Sequence, residues 1–332
     1  MTARVMSEGE LIQTYLAPLA RRTPGALGLR DDCALLVPPP GSDLVVTTDA
    51  VAAGVHFFED DAASDIAWKA LAVNVSDLAA KGAEPFAYQM ALSFPQAPTH
   101  DWLSAFAGGL EAAQSAFGIG LLGGDTDRRP GPLTITITAF GHTPKGTMVL
   151  RSGARPGDII FVSGTLGDSA LGLKQRVEPE AARKWQLSAS ETAHLTLRYL
   201  KPEPRLTLRD ALRAHAASAM DISDGLVKDL ERLCAASCVK AHVRLGQVPL
   251  SQAARAVVAA DAGTYGLIVS GGDDYEILCT VPPDQAEAFG SAARACAVSV
   301  SAIGTISPGS GLVLEGLDGL SIQLTRSGWD HF

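Results

Sequence analysis

Residues 132–141 read PLTITITAFG, and this stretch constrains the fold more tightly than any other. Ile135, Ile137 and Ala139 alternate with Thr134, Thr136 and Thr138. A period of two belongs to an extended strand, whose successive side chains point to opposite faces. One face is then apolar and the other hydroxyl-bearing, as in an antiparallel sheet covered on one side. Such a sheet needs a second layer, and the chain supplies one. Trp68, Leu71, Val75 and Leu78 recur at helical spacing within 64–81, a stripe suited to packing on a sheet. Residues 43–51 read as a strand, 101–117 as a further helix, and 7–20 as a short amphipathic helix.

The pattern changes beyond residue 148. Ile159 to Val162 form a short continuous apolar run, as expected of a strand covered on both faces. Helices are predicted near 167–177, 188–199 and 207–217, and Leu226, Leu230 and Leu233 give a second stripe in DISDGLVKDLERL. LIVSGG (267–272) and YEILCTV (275–281) read as strands, with small closing strands over 298–326. Strands and helices mix in both halves, so the fold class is α/β (α+β). The 332 residues, at about 150 per domain, suit two domains, here 1–148 and 149–332.

Charge and cysteine content narrow the function. Lys and Arg number 27 against 36 Asp and Glu, a net charge of −9 that would repel a phosphate backbone and argues against nucleic acid as a partner. An anionic small molecule is still compatible if metal ions intervene. No run approaches the roughly 18 apolar residues of a membrane span. Glu8 and Glu10 precede any apolar core, so the start does not read as a signal peptide. Cys33, Cys234, Cys238, Cys279 and Cys296 show neither CxxC nor Cys/His ligand spacing. They read as reduced thiols of a cytoplasmic protein.

The familiar phosphate loops are missing. Gly118, Gly120 and Gly123 match GxGxxG, but they follow a helix and enter a strand, the reverse of a dinucleotide fingerprint. What recurs is aspartate beside glycine or another acid: Asp31–Asp32, Asp49, Asp77, Asp125, Asp221 with Asp224, and Asp273–Asp274. Taken singly, each is explained by a turn or helix cap, and Asp77 by a solvated helix face. DISDG does not open a calcium loop, since Gly225 stands at position five and Arg232 at position twelve. If several of these acids converge, two carboxylates ~4 Å apart repel by about 4 kcal/mol at an effective dielectric near 20. Divalent cations would then be required, and Mg²⁺ commonly joins one or two carboxylates to substrate phosphates.

The blocks RDDCALL, TTDAVAAGVHF, WKALAVNVSDLAAKGAEP, LLGGDT, LRSGARPGD, GTLGDSALGL, DISDGLVKDL, SGGDDYEIL and the closing GWDHF stand in an order that resembles the thiamine-monophosphate kinase family over nearly the whole chain. The wider superfamily includes aminoimidazole ribonucleotide synthetase, and GVHF with GWDHF favours the thiamine enzymes. The resemblance implies a two-domain PurM-like fold: an N-terminal α/β domain whose sheet pairs with that of a second subunit, and a C-terminal α/β/α domain. ATP and several Mg²⁺ ions would lie in the cleft between the domains of a homodimer.

By the same resemblance, Asp32, Thr47, Thr48, Asp49, Asp77, Asp125, Asp221 and Asp224 would be metal ligands. Gly124, Arg151 and Ser223 would meet ATP, and His56, Asp273 and Trp329 would hold thiamine monophosphate. Two positions depart from the family pattern: Arg30 stands where a glycine is usual, and Asp273 where glutamate is usual. The implied reaction is direct in-line transfer from ATP to thiamine monophosphate, giving thiamine diphosphate. No covalent nucleophile is assigned. The alternatives are another ATP-dependent synthetase of the superfamily, or a non-catalytic Mg-nucleotide-binding protein.

Overall fold

The computed structural model describes residues 6–316, 318–322 and 328–329. Asp330, His331 and Phe332 of the closing motif, with 317 and 323–327 of the predicted closing strands, lie outside the described residues. The chain forms two compact units, one from residues up to Leu78 with Ala83–Gly146, the other from Ala79–Gly82 and the chain from Thr147 on.

In the first unit, Ser7 caps α1 (Glu8–Leu11) through a reciprocal Ser7–Glu10 capping box. The predicted helix over 7–20 does not stay regular. It passes into a π-turn over Ile12–Leu16 and a 3₁₀ turn over Ala17–Ala20, where Pro18 withholds an amide donor. Then follow β1 (Ser42–Ala52), α2 (Ala63–Ala80), β2 (Glu84–Phe94), α3 (His100–Phe117), β3 (Gly120–Arg128) and β4 (Thr134–Pro144). The sheet order is β1-β4-β2-β3, with β2 and β3 parallel and the other pairs antiparallel.

The alternation over 132–141 has the predicted consequence. Ile135, Ile137 and Ala139 are fully buried, while Thr134, Thr136 and Thr138 are half-exposed. Leu78 of α2 reaches Gly141 on the apolar face of β4, and Trp68 packs edge-on against Phe117 of α3 with ring centroids 4.9 Å apart. α3 ends at Gly118 with φ 68° and β3 begins at Gly120, so the glycine run does join a helix to a strand.

The second unit contains β5 (Ile159–Ser163), α4 (Asp168–Val177), α5 (Pro179–Trp185), α6 (Ala189–Leu200), α7 (Arg209–His215), β6 (Ser218–Asp221) and α8 (Leu226–Ser237). It continues with β7 (Lys240–Arg244), α9 (Gln252–Ala260), α10 (Tyr265–Ser270), β8 (Ile277–Val281), α11 (Ala286–Ala295), β9 (Val300–Ser307), β10 (Gly311–Glu315) and β11 (Ser321–Ile322). The mixed sheet runs β11-β10-β7-β9-β5-β8-β6. Ile160 and Val162 join one core with Leu226, Leu230 and Leu233, whereas Phe161 joins another with Ile277, Cys279 and Phe289. The apolar run at 159–162 is thus covered on both faces.

LIVSGG is a correction. Leu267 to Ser270 finish the short helix α10 instead of forming a strand. Their β-branched composition suggested extended backbone, but Ile268 and Val269 both bury fully from one helical turn. The helix predicted over 207–217 is a 3₁₀ turn, Leu206–Leu208, followed by α7.

The sidedness of β4 sets an expected outcome. Ile137→Ala should lower stability by about 2–5 kcal/mol in urea unfolding, and Thr136→Ala by less than about 1 kcal/mol. Equal losses would contradict the one-sided burial.

Candidate active site

β1 and α2 assemble the first group of predicted residues. Thr47 Oγ1 donates to Asp77 Oδ2 at 2.5 Å, so Asp77 is held by β1 and is not a freely solvated helix residue. Three residues earlier on the same helix face, Asn74 is fully buried and its Oδ1 accepts the Asp49 amide at 2.9 Å. Asn74 Nδ2 donates to Ala70 O at 3.1 Å, which fixes the carboxamide. Thr48 Oγ1 donates to Ile137 O at 3.0 Å and accepts from Thr138 Oγ1 at 3.2 Å. His56 lies just beyond β1, half-buried, with Nδ1 accepting the Ala52 amide at 3.1 Å.

A cavity of about 700 Å³ opens in the same unit. Glu8, Asp31, Asp32 and Asp125 line it beside Gly124 and Thr138, and Ile12, Leu16 and Leu29 supply an apolar wall. Asp32 and Asp125, far apart in sequence, therefore face one space. A β-carbon on Gly124 would collide with the Met90 carbonyl, so only glycine lets β3 lie this close to β2. Leu27, Gly28 and Leu29 all hold positive φ (50°, 68° and 55°) on the approach to Asp31. Bulky residues seldom accept that conformation, and such strain is typical of functional loops.

In the second unit, main-chain bonds stitch three distant segments together. The Asp273 amide donates to Ser223 O at 2.7 Å, Tyr275 to Ile222 O at 2.8 Å, and Trp329 to Asp224 O at 3.0 Å. The amides of Ser223 and Asp224 both donate to Asp229 Oδ2, at 3.0 and 2.9 Å. Gly272, at φ 73°, lies so close that a β-carbon would strike the Ser223 carbonyl, and Asp273 and Tyr275 follow at φ 65° and 52°.

Ser223, Asp224, Asp273 and Trp329 are thus brought together. Ser169 Oγ donates to Asp273 Oδ2 at 3.1 Å. The Asp224 carboxylate pairs with Arg232 at 2.6 Å and Lys228 at 3.4 Å. Asp221 ends β6, buried, opposite Ile277. Arg151 is exposed, on a segment that runs beside β6 where the Ala219 amide meets Leu150 O at 2.9 Å.

Sequence reasoning missed Asn74, Asp229 and Ser169. A lone asparagine inside an apolar helical stripe was a signal for the first. An acid in the first turn of a helix was one for the second. Ser169 carries no local signal.

The donor set suits Mg²⁺ better than a softer metal, being carboxylates and hydroxyls only. Among the described residues no three His, Cys, Asp or Glu side chains gather into a ready-made cage. That is compatible with an ion that keeps several waters and shares one or two carboxylates with substrate phosphates.

Two mixed sheets flanked by helices, with acids grouped at strand and loop positions in each unit, define a two-domain class. Residues 30–143 match the family "AIR synthase related protein, N-terminal domain", and 155–316 match "AIR synthase related protein, C-terminal domain". The thiamine-monophosphate kinase of Caulobacter vibrioides is 43% identical over 98% of this chain and 91% of its own. The crystal structure of the thiamine-monophosphate kinase from Stenotrophomonas maltophilia is 39% identical, covers 96% of this chain and 98% of its own, and superposes with a TM-score of 0.84. The structure of AaThiL complexed with AMPPCP and TMP is 29% identical over 100% of this chain and 99% of its own, with a TM-score of 0.77. The chain belongs to the thiamine-monophosphate kinase family.

Behind the second group lie buried acids. Glu276 is fully buried and bonded by Arg198 at 3.0 Å, Arg205 at 2.7 Å and Ser163 at 2.6 Å. Asp274 is also buried: its Oδ1 accepts the Gly167 amide at 2.8 Å, but its Oδ2 meets no hydrogen-bond partner among the described residues. Burial pushes its pKa well above the usual carboxylate range, against the pull of the Gly167 amide, and the Asp168 charge raises it further. The folded chain therefore holds this proton more tightly than the unfolded one. The resulting stability is complete below an unfolded pKa of about 3.9 and is lost as pH rises through the folded value. Asp274→Asn, which keeps the Gly167 bond without a titrating group, should melt at least as high as wild type at pH 8 and show a flatter decline of Tm with pH. A markedly lower Tm, with the slope unchanged, would contradict this.

Proposed function

We infer that the chain transfers the γ-phosphoryl group of ATP to thiamine monophosphate, releasing ADP and thiamine diphosphate. The full-length likeness to curated thiamine-monophosphate kinases carries this reading. The grouping of Ser223, Asp224, Asp273 and Trp329 around one turn supports it.

The acceptor is a phosphate whose second pKa is about 6, so it is largely dianionic at neutral pH and needs no strong base. The difficulty is to bring two polyanions into line. Asp32, Thr47, Thr48, Asp49, Asp77 and Asp125 of the first unit, with Asp221 and Asp224 of the second, would hold Mg²⁺. When bound, the metal offsets the charge of the phosphate oxygens during transfer. For Asp224 this means sharing a carboxylate already paired with Arg232 and Lys228.

Gly124 lets main chain approach ATP, Ser223 contacts it, and Arg151 supplies a fixed cation to its phosphates. His56 and Asp273 bind thiamine monophosphate. The exposed indole of Trp329 offers a π-face to the thiazolium cation. Transfer is direct, with no covalent enzyme intermediate.

The chain acts as a homodimer in the cytoplasm, where ATP is available. No described helix is long and apolar enough to cross a membrane. Leu44 and Val46 of β1 are 42% and 52% exposed, and they stand opposite His142 and Phe140 of β4 on the side away from the buried Ile135 and Ile137. A sheet face that carries exposed Leu44 and Val46 beside its threonines suits a second copy.

A coupled assay tests the chemistry. ADP and thiamine diphosphate should appear in equal amounts only when thiamine monophosphate is present, and not with aminoimidazole precursors. Asp49→Asn should lower turnover by about a hundredfold or more, the scale of losing one charge-stabilising group. A wild type that binds Mg·ATP without turnover would leave only a binding protein. For the dimer, light scattering should give twice the chain mass for wild type and the monomer mass for Val46→Glu. Monomeric wild type would refute the paired sheet.

A further inference from the structure

The Ser223–Asp224 turn is a junction, and Asp229 fastens it. On one side, the two turn amides donate to Asp229 Oδ2. On the other, the two turn carbonyls accept the amides of Asp273 and Trp329. The contacts are close on both flanks: a β-carbon on Gly272 would strike the Ser223 carbonyl, and one on Gly328 would lie 2.7 Å from Asp224 O. A shift of the turn must therefore displace both neighbouring segments.

Asp229 is not an ordinary helix cap. Capping side chains bond the amides of the helix's own first turn. α8 begins at Leu226, yet the Asp229 carboxylate reaches back past Gly225 to residues 223 and 224. Its side chain is fully buried, and its second oxygen accepts from Arg232 at 2.9 Å. The same Arg232 nitrogen pairs with Asp224 at 2.6 Å, so one cation orients both carboxylates. An acid kept in so unfavourable a place is held there by what it organises, two charge-assisted amide bonds of roughly twice neutral strength.

We propose that Asp229 is a positioning residue for both substrates: it fixes the Ser223 side of the turn toward ATP and, through the turn carbonyls, sets Asp273 and Trp329 toward thiamine monophosphate. This rests on the substrate roles inferred above for those three residues. Asp229 itself touches neither substrate. An asparagine there keeps the shape but replaces one acceptor oxygen with a donor, so the paired acceptor geometry and the charge are lost.

Steady-state kinetics with each substrate varied in turn are the test, with melting curves confirming the fold. Asp229→Asn should raise the KM for ATP and the KM for thiamine monophosphate together, each about tenfold or more. Asp229→Glu, which keeps the charge but displaces it by a methylene, should raise both as well. Glu231→Gln, exposed on the same helix, should leave both unchanged. A purely structural role would lower kcat through the active fraction and leave both KM values alone. That result, a change in only one KM, or failure of both Asp229 variants to fold would overturn the proposal. A wild type that makes no thiamine diphosphate would refute the underlying function instead.

Discussion

A carboxylate taken out of water must be met by a cation, a proton or several N–H and O–H donors. The second unit is organised around that requirement. Asp168 takes Thr165 at 2.7 Å, Ser251 at 2.5 Å and His194 at 3.1 Å. Glu276 takes two arginines and a serine, Asp229 two amides and an arginine, and Asp274 one amide, its burial favouring the protonated form. Each solution ties a loop to a helix or strand. Together they hold Gly167, the 222–225 turn and the 272–276 segment, in which Asp273 and Tyr275 take positive φ.

The first unit meets the same requirement differently. Glu8, Asp31, Asp32 and Asp125, though not Asp49 or Asp77, face a cavity whose described lining includes neither lysine nor arginine. Neutral donors, the amides of Cys33 and Thr126 and the Thr126 hydroxyl, meet three of these acids. Hydroxyl and carboxamide groups of Thr47, Thr138 and Asn74 tie the neighbouring strands and helix together beside Asp49 and Asp77.

Much of the fold was legible because its periods are clean. Ile135, Ile137 and Ala139 announced a one-sided strand, and Ile159 to Val162 a two-sided one. β2 went unread although Tyr88, Met90, Leu92 and Phe94 are buried in alternation; its one break is a bulge at Phe86, near the start of the strand. α10 was misread because β-branched residues bury as well in a single helical turn as in a strand. The site was legible mainly as an ordered set of motifs. Spacing alone gave no account of why Asp32 and Asp125 share a cavity, since that depends on the Pro24–Leu29 turn ahead of Asp32 packing on β3, with Thr23 beside Gly120 and Gly25 beside Leu122. Asp229 reaches back to the turn just before its own helix, beyond the usual capping positions, while Ser169 meets Asp273 from a remote part of the chain, so no local pattern could reveal that partner.

The central claim is that acids remote in sequence gather divalent metal beside the phosphates. Manganese can stand in for magnesium at such oxygen sites. Crystals grown with Mn²⁺ and a non-hydrolysable ATP analogue, measured at the manganese absorption edge, test it most directly. Anomalous peaks should lie against the carboxylates of Asp32, Asp49, Asp77 or Asp125 and touch the analogue's phosphates. Nucleotide bound with manganese on none of those four residues would contradict the claim.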